Sequence, residues 1–401
     1  MTEQQNTPEV RFPKFKGEWK KFILEDISNK KTSKNKELIF NETLTNSAEF
    51  GIISQKDYFD KDISNVKNID NYYIVEPDDF VYNPRISRLA PVGPINRNNL
   101  DRTGVMSPLY TVFTINSQNK TFIEYFFKTT KWHRFMKLNG DSGARSDRFT
   151  IKSSLFAKMP ISLPSELEQG KIGTFFSKLD RQIELEEEKL ELLEQQKKGY
   201  MQKIFSQELR FKDENGNNYP NWKSCQLGEI TKTFSGGTPK SNNSNYYNGD
   251  IPFIRSGEIS KQFTELKITE NALNNSSAKL VEKGDLLYAL YGATSGEVAI
   301  SKINGAINQA VLCIKSEESI NFLLNFLRLK KQHILKTYIQ GGQGNLSASI
   351  VKGITIKLPC KEEQTKIGNF LDKVEILIEK QSTKIDLLKQ RKQGLLQKMF
   401  V

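Results

Sequence analysis

Apolar residues recur along two stretches of this chain with a period of three and four, the spacing that puts one stripe of a helix against a partner. In the first stretch the stripe is Ile172, Phe176, Leu179, Ile183, Leu190, Leu193, Tyr200 and Ile204, with Glu186 and Lys197 at the two seam positions that break it. In the second it is Ile367, Leu371, Val374, Ile378, Ile385, Leu388, Leu395 and Met399, broken at Gln381 and Lys392. The stretches are copies: residues 161–206 align without a gap to residues 356–401 at a constant offset of 195, sharing LP, EQ, KIG, LL and QK. A helix rises about 1.5 Å per residue, so each should be roughly 50 to 60 Å long.

A long helix with one apolar stripe needs a partner of matching period, and the other copy supplies it. The spacing therefore predicts an intramolecular two-helix coiled coil with a core of Leu179, Ile183, Leu190, Leu193, Val374, Ile378, Ile385 and Leu388; packing of each helix on its own preceding block is the alternative. A parallel pair would stack Lys197 on Lys392, so an antiparallel pair with pseudo-two-fold symmetry is expected. In the predicted register Glu186 meets Lys392, Lys197 meets Gln381, and Leu190 and Leu193 meet Leu388 and Ile385.

The blocks ahead of the helices read differently. VEKGDLLYALYGATSGEVAI and NGAINQAVLCIK are glycine-bounded strand-like runs, and NFLLNFLRLKKQHILKTYI is helical. The first block repeats that order with IVEPDDFVYNPRI, SPLYTVFTI and the helical FIEYFFKTTKWHRFMKL. A weaker echo opens each block: Arg11, Phe12, Trp19, Lys20, Leu24 and Ile27 recur as Arg210, Phe211, Trp222, Lys223, Leu227 and Ile230. The plan is α+β: a mixed block at 1–160, a helix at 161–206, a second mixed block at 207–355 and a second helix at 356–401.

A formal net charge of +12 over 401 residues adds an attraction for polyanions to this plan, because Lys and Arg displace counterions from a phosphate backbone. Cys225, Cys313 and Cys360 form no CxxC pair, so neither a disulfide framework nor a zinc site is suggested. The opening residues lack the apolar run of a signal peptide, and no stretch approaches the roughly 20 apolar residues that span a bilayer, so a cytoplasmic location is expected.

Little in the chain suggests catalysis. His133 and His333 stand 200 residues apart, no phosphate-binding GxxxxGK[ST] loop occurs, and Asn83-Pro84-Arg85 falls short of the Asn/Asp-Pro-Pro-aromatic segment of amino-methyltransferases. Asp250 with Glu265 and Lys267 imitates a metal-dependent nuclease site, which is kept as an alternative. A coiled-coil scaffold that binds protein is another.

The second block resembles the specificity subunits of Type I restriction-modification systems through an ordered series: Ser235-Gly-Gly-Thr-Pro-Lys240, Tyr246-Tyr-Asn-Gly-Asp-Ile-Pro252, Gly284-Asp285, Tyr291-Gly-Ala-Thr-Ser-Gly296 and Gly341-Gly-Gln-Gly-Asn345, then LP and the KIG helix. With the repeated helix, the resemblance covers essentially the whole chain. It implies two target-recognition domains, each followed by a helix, reading a bipartite double-stranded DNA site and docking two modification subunits and, through them, restriction subunits. Under that resemblance this chain binds no cofactor and is not itself an enzyme; S-adenosylmethionine, ATP and Mg belong to the partners. The first block lacks the Gly-Gly-Thr-Pro turn and the Gly-Ala-Thr-Ser-Gly run.

Base reading needs polar side chains on loops with Lys or Arg on phosphates. In the second block the candidates are Thr238, Lys240, Tyr246, Tyr247, Arg255, Tyr291, Thr294, Ser295, Gln343 and Asn345. In the first they are Arg85, Arg88, Arg97, Arg102, Arg145 and Arg148, since Arg can grip guanine or clamp phosphate.

Overall fold

Strands that alternate two apolar faces need cover on both sides, and the central sheet of each block obtains it. The computed structural model describes residues 6–59, 66–116, 118–141, 147–338 and 345–401, and for 66–68 the backbone alone. The chain divides into two units: Met1–Glu187 with Lys384–Val401, and Glu188–Thr383.

In the second unit a four-stranded sheet runs in the order Thr231–Ser235, Val311–Ser316, Leu286–Ala289, Val298–Ile300, all neighbours antiparallel. Leu287, Ala289, Ala299, Val311 and Cys313 point to one face and meet Ile254, Val281 and Ile307 of a second sheet, ordered Lys267–Ile268, Tyr247–Ile254, Gly305–Ile307, Lys279–Val281. Leu286, Tyr288, Val298, Leu312 and Ile314 point to the other and pack on the helix Ile320–Tyr338 and on Met201, Ile204, Ile367 and Leu371. Burial in this core pushes the Cys313 thiol up to about 12, as expected of a packed rather than reactive cysteine.

The first unit repeats the scheme. Its sheet runs Ser28–Lys31, Thr111–Ile115, Phe80–Tyr82, Ile95–Arg97. Val81 and Val112 face the ladders Leu44–Ser47/Gly51–Ser54 and Tyr73–Val75/Gly104–Met106, while Phe80, Tyr82, Phe113 and Ile115 face helices. The helical run expected over FIEYFFKTTKWHRFMKL is two helices, Lys120–Phe127 and His133–Asn139. Between them the buried Thr129 hydroxyl donates to the Phe126 carbonyl at 2.7 Å and accepts the Lys131 amide at 3.2 Å, the local competition that ends helices at Thr.

The long helices are Glu166–Phe205 and Lys361–Met399, each entered through a short strand, Pro160–Leu163 or Thr355–Leu358, paired to the strand after the repeated Trp. The shared LP and EQ residues build one socket twice. Gln169 donates to the Pro164 carbonyl at 3.0 Å and accepts the Asn119 amide at 3.2 Å; Gln364 donates to Pro359 at 3.0 Å and accepts the Ser319 amide at 3.1 Å. Arg11 grips the buried Glu168 with two nitrogens at 2.7 and 2.8 Å, and Arg210 grips Glu363 at 3.2 and 2.7 Å. The KIG glycines let each long helix close on the start of the helix those glutamines cap: a Cβ on Gly173 would lie 3.3 Å from the Phe122 amide nitrogen, and one on Gly368 3.3 Å from that of Phe322.

Within each unit a segment of one long helix lies antiparallel to a segment of the other, in a register that corrects the expected one. Lys392 pairs with Asp180 instead of Glu186, Glu186 takes Lys384 at 2.5 Å, and Lys197 takes Glu375 instead of facing Gln381. These three partners are displaced by six to eight positions, whereas Glu187 with Lys389 at 2.6 Å departs from the expected register by two, so the shift lies within about two turns. The expected register matched polar seam residues with each other; the observed one lets each long cation lay its methylenes along the seam and reach a carboxylate beside it. Ile183 and Ile385 are buried in this seam, and Leu179, Leu190, Leu193, Val374, Ile378 and Leu388 are half-buried.

Candidate nucleic-acid interface

One end of each central sheet collects the loops. In the second unit it is the end marked by Ser235, Val311, Ala289 and Val298. The Gly236 amide donates to the Asn308 carbonyl at 3.2 Å, the Leu290 amide to Ala310 at 2.8 Å, and the Leu346 amide to Leu290 at 2.9 Å, so loops at 236–240, 290–297, 308–310 and 345–346 meet there. Gly236 is required for this approach: a Cβ would stand 1.8 Å from the Ile307 carbonyl oxygen.

Thr238, Lys240 and Asn345 are exposed on that end, and Tyr291 and Thr294 are half-buried. The Thr238 hydroxyl donates to the Gln309 side chain at 2.6 Å. Gln309, exposed in the turn before Val311, is a residue that sequence reasoning missed; its signal was the Asn-Gln pair just ahead of a strand. Ser295 is buried and donates to the Leu290 carbonyl at 3.0 Å, so it shapes the loop instead of facing outward. Tyr246 and Tyr247 pack in a smaller core, with the Tyr247 hydroxyl on the Pro239 carbonyl at 2.9 Å. Arg255 is held by Glu258 at 2.9 Å and Glu265 at 2.5 Å, which keep its guanidinium protonated and occupied. Gln343 lies outside the described residues.

That ion pair also occupies the carboxylate on which the nuclease alternative relied. Asp250 lines a cavity of 660 Å³ with Glu270 and Glu282, while Lys267 sits in the strand opposite Pro252. Among the described residues, no group of three or more His, Cys, Asp or Glu is placed to hold a metal. His133 is half-buried, edge-on to Trp132, and burial followed by the Lys137 charge lowers its pKa.

In the first unit the corresponding end is marked by Lys31, Thr111, Tyr82 and Ile95. The segment after Tyr82 is stitched to 147–149: Ile86 donates to Asp147 at 3.0 Å, Phe149 to Pro84 at 2.7 Å, and Arg85 and Arg148 bridge as strand neighbours. Arg85 and Arg88 are exposed and Arg148 is half-buried; among the described residues none of the three has a carboxylate at ion-pair distance. Arg145 lies outside the described residues.

Arg97 and Arg102 do other work. Arg97 sits at the far end of its strand, opposite Phe80, bound to Glu124 at 2.8 Å and Asp78 at 3.5 Å. Arg102 holds Glu42 through two nitrogens at 2.6 and 2.8 Å, which keeps that carboxyl below its ordinary range.

A second group missed in the sequence is an asparagine network beside Arg85. Asn46 donates to the Val81 carbonyl at 2.6 Å, Asn83 donates to the Asn46 carbonyl at 2.8 Å, and Asn96 donates to the Asn46 side chain at 2.7 Å and the Ser47 carbonyl at 3.1 Å. The Asn83 side chain also accepts the Arg85 amide at 2.9 Å, so the turn of the hairpin at 44–54 is fixed to the arginine-bearing loop.

The family model described as the Type I restriction modification DNA specificity domain matches twice, over residues 16–195 and 219–390. The MjaIX specificity subunit of Methanocaldococcus jannaschii is 27% identical over 208 residues, 49% of this chain and 48% of that protein. The EcoR124I/EcoR124II specificity subunit of Escherichia coli is 28% identical over 167 residues, 39% of this chain and 41% of the relative. These matches span about half the length of the curated relatives or less. Among solved structures, a chain from a study of complex assembly and conformational transition of the type I R-M system superposes with a TM-score of 0.62 at 16% identity, covering 95% of this chain and 97% of the other. The Type-I restriction-modification system S subunit from M. genitalium gives 0.57 at 16% identity, covering 98% and 99%. At that identity the likeness is one of fold.

Proposed function

Because the chain belongs to the Type I restriction modification DNA specificity domain family, we propose that it is the DNA-reading subunit of such a system, each unit reading one half of a bipartite duplex site. The observation that carries this reading is the same sheet built twice with different side chains at the same end: uncharged polar groups and Lys240 in the second unit, Arg85, Arg88 and Arg148 in the first. A repeated scaffold with unlike loops is what two independent readers need, since phosphate contacts position a protein on a duplex and base contacts specify the sequence.

In this reading the chain itself is not an enzyme. Its partners are double-stranded DNA, two modification subunits that transfer methyl groups, and restriction subunits; S-adenosylmethionine, ATP and Mg are bound by those partners. The setting is the cytoplasm, and among the described residues no helix is long and apolar enough to cross a membrane. The family is one of DNA specificity domains, and the arginine-lined and polar sheet ends supply groups suited to that.

The test is an exchange of residues 210–355 for the corresponding block of a relative, followed by mapping of methylated sites in the host genome. One half-site should change and the other persist. Change in both halves, or methylation by the chain in the absence of partner subunits, would overturn the reading.

A further inference from the structure

Three aromatic rings stand exposed near the arginine end of the first unit. Phe50 is 60% exposed at the turn of the hairpin Leu44–Ser47/Gly51–Ser54, Tyr58 meets it edge-on at 6.3 Å, and Phe59 meets Tyr58 at 4.6 Å. The turn is rigid for an exposed loop. The Ser47 hydroxyl accepts the amides of Glu49 and Phe50 at 3.2 and 3.3 Å, Gly51 supplies the positive φ of 71° that closes it, and the asparagine network ties Asn46 and Ser47 to the Arg85 loop. Exposure of a large apolar ring on a fixed turn costs solvation free energy in the isolated protein, and a ligand that covers it recovers that loss.

We propose that this turn is the base-reading tip of the first unit, seating Phe50 in the major groove against a thymine methyl group while Arg85, Arg88 and Arg148 hold the neighbouring phosphates. The proposal rests on the DNA-reading function above. The major groove is about 12 Å wide and admits a two-stranded β-ribbon, and apolar side chains read thymine there by its C5 methyl. Charge supports that placement: the exposed Glu49 beside Phe50 is repelled by phosphate, which suits the turn to the base edges, whereas Arg85 and Arg88 lie on the loop fixed by Asn83 and Arg148 bridges Arg85 from the segment 147–149. The backing by Tyr58 holds the ring in place, so ordering it on DNA loses little side-chain entropy.

The experiment uses the full complex of this chain with the modification subunits of its own system. In the half-site read by the first block, each thymine is replaced in turn by deoxyuridine, which removes only the methyl group, and kcat/KM for methyl transfer is measured. One position should show about a fourfold loss, the worth of one buried methyl. Phe50→Ala should slow transfer on the unmodified duplex about tenfold and abolish the uridine effect, and Phe50→Leu should restore most of both. Since Phe50 is exposed, folding of the variant is checked by its unchanged thermal transition. Uridine-indifferent rates at every thymine, or an undiminished uridine penalty in Phe50→Ala, would overturn the proposal while leaving DNA reading intact. A wild-type complex with no preferred sequence would remove the DNA-reading function and the proposal with it.

Discussion

The two units share a sheet order, a socket for the long helices and a loop-bearing end, yet they differ in what that end presents. The first offers Arg85, Arg88 and Arg148; the second offers Thr238 hydrogen-bonded to Gln309, with Thr294 and Asn345 nearby and Lys240 as its candidate cation. Residues that must be alike are those that build the socket, where Arg11 and Arg210 hold Glu168 and Glu363 and the two glutamines hold the starts of the helices Lys120–Phe127 and Ile320–Tyr338. Residues at the sheet end carry no such duty, and two different chemistries fit one scaffold. The scaffold is thereby separated from the reader, so a change in one need not disturb the other.

The largest effect expected from breaking that comparison lies in the socket. Glu363 is fully buried and accepts Arg210 and also the Trp222 indole at 3.0 Å; Glu168 accepts Arg11, while the Trp19 indole nitrogen has no partner among the described residues. Glu363→Ala leaves the Trp222 indole without its acceptor and the Arg210 charge without its carboxylate, held only by the Tyr219 and Pro220 carbonyls, and should cost about 3 kcal/mol in the second unit. Glu168→Ala should cost about 1 kcal/mol less in the first, the worth of one hydrogen bond. Hydrogen exchange of amides in the two central sheets reads the units separately. Equal destabilisation of both would show that the indole hydrogen bond contributes nothing.

A smaller effect concerns the two reading ends. If the arginines of the first unit sit on phosphates, Arg85→Ala with Arg148→Ala should weaken duplex binding by the assembled complex about tenfold and flatten the slope of log K against log salt by about 0.9 for each phosphate no longer neutralised. Thr238→Ala with Gln309→Ala removes no charge, so it should leave the slope unchanged while relaxing sequence preference in the other half-site. Titration of binding between 50 and 200 mM salt, roughly the range over which counterion release is resolved, checks both. A slope that moves equally in both variants would contradict the contrast drawn between the ends.

Much of the helical frame was legible in the sequence because a heptad stripe repeated at a fixed offset has few other readings. The register was not, since the seam positions of Lys197 and Lys392 imply that each faces another seam residue. Their side chains are long enough to leave the seam and reach Glu375 and Asp180, a freedom that a pattern of one-letter positions does not display. Candidate arginines were legible as a set but not sorted: Arg97 and Arg85 look alike in sequence, and the strand between Ile95 and Arg97 puts the former at the opposite end beside Glu124. Gln309 and the asparagines 46, 83 and 96 carried no periodic signal, because their work is to join loops distant in the chain.

The smallest expected effect distinguishes the two halves of the coiled coil. Asp180 and Glu375 occupy equivalent positions of the repeat, but Asp180 takes Lys392 and the Tyr125 hydroxyl, while Glu375 takes two cations, Lys197 and Arg328, the latter at 3.3 Å. Partial burial opposes ionisation of Glu375, and the hydrogen bond and charge of Lys197 together with Arg328 outweigh it, so its carboxyl titrates below the ordinary glutamate range. A carboxyl with a lowered native pKa binds fewer protons folded than unfolded. Its contribution is therefore complete above the unfolded value, near pH 4.3, and is lost as pH falls through the native one. Glu375→Gln keeps the shape and removes the charge, leaving two cations close together; it should destabilise the helical segments at 188–205 and 361–383 by about 1 kcal/mol at pH 7. Asp180→Asn leaves one cation and a phenol that can still donate, and should cost less. Hydrogen exchange of those segments at pH 7, compared with urea unfolding followed from pH 6 down to about 3, should show wild type and Glu375→Gln converging at the acid end. A gap that stays constant with pH would mean that packing of the side chain, and not its charge between Lys197 and Arg328, is what the second half of the coil uses.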